Sequence, residues 1–117
     1  MAQIEWNENA QKEVTVRTKG TTAVAFTLSP NTPYQLMDFR FHTTASITAS
    51  DSMTVTIDHA TSASYDTLIY TKNMVSVTDI YRSFDRMRQT SKDEVDFAWA
   101  NSDSKSWGME VKYRKVI

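Results

Sequence analysis

The chain has 117 residues, 40% of them hydrophobic, with 13 basic and 14 acidic side chains and a net charge of −1. That length suits one domain burying about two thirds of its unfolded surface, and the near balance of charge supplies neither the basic excess of a nucleic-acid binder nor a polybasic membrane patch. Cysteine is absent, which removes disulfides, thiolate nucleophiles and zinc–thiolate sites, and no apolar run approaches the ~20 residues that span a bilayer.

Residues Met1–Gln11 show no clean period, although Ile4 and Trp6 would share a face if extended. They lack the basic start and apolar stretch of a secretory signal, so synthesis in a cytoplasm is expected. An arm over residues 1–11 is predicted ahead of one domain over 12–117. A tryptophan in a terminus points to docking, on the domain's own edge or on a neighbouring subunit.

Lys12–Thr18 sets Val14 and Val16 between polar neighbours, as in an edge strand. Thr22–Leu28 puts Val24, Phe26 and Leu28 on one face. Ser29-Pro30-Asn31-Thr32-Pro33 breaks the pairing, because proline cannot donate to a ladder. In Tyr34–Ala49, Met37, Phe39 and Phe41 fall on one face and Asp38, Arg40 and His42 on the other; the second half, small and polar, bends or loops. Met53, Val55 and Ile57 alternate with Thr54, Thr56 and Asp58, the clearest amphipathic strand in the chain. After the loop Ala60–Ser64, Asp66–Lys72 returns as a strand containing Leu68 and Tyr70. Met74–Phe84 fits strand and helical spacing alike, with Val75, Val77 and Thr78 favouring an extended reading. Arg82, Arg86, Arg88 and Lys92 make its surroundings basic.

Glu94–Tyr113 reads as a closing hairpin. Val95, Phe97 and Trp99 alternate with Glu94, Asp96 and Ala98, and Met109, Val111 and Tyr113 with Glu110, Lys112 and Arg114, around the polar loop Asn101–Ser106. Of two registers that keep both apolar sets on one face, one opposes Asp96 to Glu110. The other opposes Asp96 to Lys112 and Glu94 to Arg114, with Phe97 facing Val111 and Trp99 facing Met109. Cross-strand pairs contribute roughly 0.2–1 kcal/mol each, which selects the second. Seven or eight short strands without a convincing long helix predict an all-β, antiparallel two-sheet sandwich or a barrel. Thr and Ser, roughly a quarter of the chain, suit half-buried pleated surfaces.

Chemistry is sparse. His42 and His59 lie on predicted strands without a carboxylate at ligand spacing, and read as surface or packing histidines. The aspartates fall at turns and strand ends, where capping explains them. Asn101-Ser102-Asp103 begins like a calcium loop but lacks the glycine and closing Glu of an EF-hand. No Gly-x-Ser-x-Gly turn or glycine-rich phosphate cradle is present. The residues therefore assign no catalytic, metal or cofactor role. Trp99 shares a parity with the core, whereas Trp107, beside the polar loop, is the better candidate for exposure, as a rim-closing residue or a sugar platform.

Phe39-Arg40-Phe41-His42, the run Ala49–Asp58, Tyr65–Tyr70 and the closing run Asp93–Asp103 with Trp107-Gly108-Met109 resemble small structural proteins encoded by tailed bacteriophages. Those proteins often open the penultimate strand with Gly-Asp and precede the last with an Asn-x-Asp turn ending in aromatic-Gly; Lys92 stands here where that glycine would be. The resemblance covers roughly residues 36–113 and rests on alternation and turns. It implies a jelly-roll-like sandwich carried on a virion without catalysis: a capsid decoration (cement) protein on the major capsid protein lattice, self-associating as a homotrimer, with no nucleic-acid or membrane partner. A tail or fibre module binding host glycans is the alternative. Ile4, Trp6, Arg82, Arg86, Arg88 and Trp107 are the interface residues expected.

Overall fold

The computed structural model describes residues 12–116, which form eight strands: β1 (Glu13–Gly20), β2 (Val24–Leu28), β3 (Tyr34–Thr43), β4 (Ser52–Asp58), β5 (Thr67–Asn73), β6 (Asp79–Gln89), β7 (Glu94–Trp99) and β8 (Trp107–Lys115). The expected arm, with Ile4 and Trp6, lies outside the described residues. The strands make two antiparallel four-stranded sheets. Sheet I has the order β1-β8-β3-β6 and sheet II the order β2-β7-β4-β5. Successive strands from β1 to β4 and from β5 to β8 alternate between the sheets, the connectivity of an eight-strand jelly roll. The sandwich expected from the alternation is therefore present, and β1 lies at an edge as anticipated.

The strands at the centre of the sandwich turn their apolar parity inward. Met53, Val55 and Ile57 of β4, Val95, Phe97 and Trp99 of β7, and Met109, Val111 and Tyr113 of β8 are all buried. Phe39 lies at the centre, edge-on to Phe97 and Tyr70 and stacked on Phe84, so one ring joins the two sheets.

Two expectations are corrected. The closing hairpin does not form: β7 pairs with β2 and β4, whereas β8 pairs with β1 and β3. The polar loop carries the chain from one sheet to the other, so the two apolar faces meet across the core instead of lying side by side. Lys112 opposes Asp38 and Thr15 rather than Asp96, and Glu110 opposes Arg17 and Arg40. Each outward charge of β8 thus faces an opposite charge on another strand, and Glu110 meets Arg17 at 3.5 Å. The second correction is Met37. A register shift between Leu36 and Asp38 places Leu36, Phe39 and Phe41 in the core and leaves Met37 half-buried. β6 answers that shift with Asp85 and Arg86, at φ 54° and 59°, which insert extra residues opposite it.

The ends are tied by carboxylates, as read from the turn positions. Asp93 accepts from the backbone N–H of Ala60 (2.9 Å) and Thr90 (3.2 Å). At the other end Asp103 accepts from the N–H and Oγ1 of Thr48, both at 2.7 Å, and from Ala49 N–H. Asn101, also buried, donates to the carbonyls of Thr22 and Lys105.

Candidate functional site

The outward parity of sheet I forms two cross-strand rows. One runs Arg17, Glu110, Arg40, Tyr81 and the next Lys19, Gly108, His42, Asp79. Gly108 leaves a gap: a Cβ built on it would meet nothing within 4 Å. Around this gap lies a groove of about 950 Å³ that crosses all four strands. Its acids are occupied, since Glu110 meets Arg17 at 3.5 Å and Asp79 meets His42 Nδ1 at 2.7 Å. The hydrogen bonds from His42 and then Thr78 hold the Asp79 carboxyl below the usual carboxylate range. Because a carboxylate only accepts, Nδ1 of His42 carries the proton and Nε2 is left for a ligand. The Arg40 guanidinium lies 5.9 Å from the centroid of the Tyr81 ring, a residue 62% exposed.

Sequence reasoning missed this site. It read His42 as lacking a carboxylate, because Asp79 lies 37 residues away and only the β3–β6 register brings the two together. One signal was available: a glycine inside a strand commonly marks close approach of another group.

The interface candidates scatter. Arg82, Arg86 and Arg88 are exposed on β6, but they do not form one patch. Arg82 opposes the core residue Phe39 and closes the gap between the sheets, 5.7 Å over the Tyr70 ring. Arg86 sits in the bulge and borders a hollow of about 220 Å³ with Lys12, Gln35 and Lys115. Arg88 opposes Gln35 on the outer face of sheet I. Trp107 is not exposed as expected. Its indole is 8% exposed, stacks on Phe41, and donates Nε1–H to the Thr22 carbonyl at 2.8 Å. It closes the end of the sandwich and offers no platform. Four large apolar residues that do reach solvent are Tyr65, in the turn just before β5, Leu68 on β5, Val75 between β5 and β6, and Tyr81 on β6.

His59 is the other histidine. Its Nε2 lies 3.9 Å from Asp93 and its ring packs on Tyr65. Burial pushes the Asp93 carboxyl up, but the hydrogen bonds from Ala60 and Thr90 outweigh it and leave Asp93 lowered. Among the described residues, no three His, Asp or Glu side chains are placed to hold a metal ion. Nor, among the described residues, is any helix long and apolar enough to cross a membrane.

No family model matches the sequence, and no curated protein does. Among solved structures, the chain is similar to one in the acidic stable capsid structure of Helicobacter pylori bacteriophage KHP30. Identity is 15% and the TM-score 0.50, over 87% of this chain and 92% of that one. It is also similar to the Yersinia pseudotuberculosis-derived mitogen, at 11% identity and a TM-score of 0.47 over 89% and 86% of the two chains. A third similar structure, the nucleoplasmin-like N-terminal domain of Drosophila FKBP39, has 7% identity and a TM-score of 0.47, covering 91% and 92%. At these identities the likeness is one of fold, and one fold hosts many functions.

Proposed function

We propose that this chain is a non-catalytic virion structural protein: a capsid decoration protein that binds the major capsid protein lattice and stabilises the head. The observation that carries this reading is the eight-strand jelly roll, matched in fold over 92% of a chain from a bacteriophage capsid structure. The sequence resemblance to small phage structural proteins supports it independently of the coordinates. The arm, through Ile4 and Trp6, is the first capsid contact, and the Arg82–Lys92 segment, with Arg86 and Arg88 exposed, is the second. Homotrimers at local three-fold positions would let each copy bridge several subunits and gain avidity from contacts that are weak singly.

The test uses capsids that lack the protein. Added protein should co-sediment with them and raise the temperature at which they release their contents. Deleting Met1–Gln11 should weaken binding while the far-ultraviolet circular dichroism stays that of the parent. Capsids that neither retain the protein nor gain heat resistance would end this reading.

A further inference from the structure

The groove over Gly108 has features that a docking surface does not require. Its volume lies at the upper end of the ~300–1,000 Å³ range of small-molecule sites. Lys19 and His42 flank the bare Gly108 on adjacent strands, each about 4.8 Å to its side. An anionic group seated over Gly108 would meet both. Among the described residues the Lys19 side chain makes no hydrogen bond or ion pair. Arg40 covers one part of the exposed Tyr81 ring and leaves the remainder to solvent. Glu110 keeps a second carboxylate oxygen able to accept a hydroxyl proton, whereas both oxygens of Asp79 are taken, by His42 and Thr78.

We infer that this groove binds an acidic saccharide, its carboxylate over Gly108 between Lys19 and His42 and a sugar ring against Tyr81. Neutral His42 accepts a hydroxyl at Nε2, and charged His42 donates there to the carboxylate. Interleaved donors, acceptors and one ring suit a ligand rich in hydroxyls; a purely apolar ligand would desolvate the Lys19 ammonium and offer it no partner. The site is independent of capsid binding, so either reading can fail alone.

Calorimetric titration of the full chain with sialyllactose and a glucuronate disaccharide, beside lactose and acetate, tests it. At least one acidic sugar should bind about tenfold or more tighter than lactose and acetate. Lys19→Glu and Tyr81→Ala should each weaken it by a similar factor, with the melting temperature held, because both side chains are exposed. Leu68→Ser, on sheet II, should change nothing. Absence of binding by both acidic sugars at ~10 mM, well above millimolar affinity, would overturn the inference. Acetate binding as tightly as the sugars, or binding indifferent to Lys19→Glu, would overturn it equally.

Discussion

Replacing Trp107 separates a packing role from a recognition role. The indole stacks on Phe41 with centroids 6.1 Å apart, lies over the bare Cα of Gly20, and hydrogen-bonds the Thr22 carbonyl. Removing a buried tryptophan to alanine costs about 3–5 kcal/mol through lost transfer energy and the cavity left behind. The Thr22 carbonyl keeps a second donor in Asn101, so little is added for an orphaned acceptor. Against a typical total of about 5–15 kcal/mol, this is a large share. Trp107→Phe should cost roughly 1–2 kcal/mol, losing one hydrogen bond and part of the ring. Gly20 supplies an internal control. A Cβ there would sit 3.2 Å from Cζ2 of a ring that its hydrogen bond prevents from withdrawing, so Gly20→Ala should cost about 1 kcal/mol. In the Trp107→Phe background that cost should vanish, because phenylalanine lacks the crowding atoms. Urea unfolding followed by circular dichroism gives all four corners of the cycle. A Trp107→Ala stability within 0.5 kcal/mol of the parent, or a cycle without coupling, would refute the core assignment.

Trp99 should behave differently: among the described residues its buried Nε1–H has no hydrogen-bond partner, so Trp99→Phe should cost about 1 kcal/mol less than Trp107→Phe in the same urea assay. Asp93→Ala strips the acceptor from the N–H groups of Ala60 and Thr90 and should cost about 2–3 kcal/mol by thermal or urea melts. Hydrogen bonds lower the folded-state carboxyls of Asp79, Asp93 and Asp103, so their contribution is complete above the unfolded value near pH 4 and is lost as pH falls through the lower folded values. The urea midpoint should therefore fall from pH 5 to pH 3, and Asp103→Asn should make that fall shallower. Leu68→Ser, at a residue 54% exposed, should stay within about 0.5 kcal/mol, whereas Val55→Ala in the core should cost about 1–3 kcal/mol.

Inward and outward sets were readable from the sequence because a period of two needs no knowledge of neighbours: β4, β7 and β8 bury the residues their alternation marks. It fails where the backbone breaks its own period. Met37 lost its place to a bulge, and Leu68 faces solvent where β5 shifts register against β4 between Val55 and Thr56. Strand partners lay further out of reach, and with them the His42–Asp79 pair and the groove. The predicted hairpin shows why. It matched the charges of β7 to those of β8, yet Lys112 faces Asp38, and Glu110 faces Arg17 and Arg40, alternative opposite-charge pairings from elsewhere in the chain. Local charge matching is degenerate; the core decides which solution is used.

That decision leaves its mark on both outer faces. On β8 every outward charge opposes its complement: Glu110 sits between two arginines, and Arg114 opposes Glu13. On β7 the outward acids oppose none. Glu94 faces Asp58, and Asp96 faces Thr27 and Thr56, with a hydrogen bond from Thr27 Oγ1 at 2.7 Å. Burial, then Asp66, Asp96 and Glu94, push the Asp58 carboxyl up, so ionising it works against the fold. Deprived of a β8 partner, β7 gives sheet II an acidic outer face while sheet I keeps a mixed one, with Lys19 unpaired among the described residues. The pairing that the hairpin reading proposed would have neutralised Glu94 and Asp96. The jelly roll instead trades those two ion pairs, worth roughly 0.2–1 kcal/mol each, for the burial of Phe97, Trp99, Met109 and Val111 across one core, where a single such side chain contributes about 1.5–3 kcal/mol.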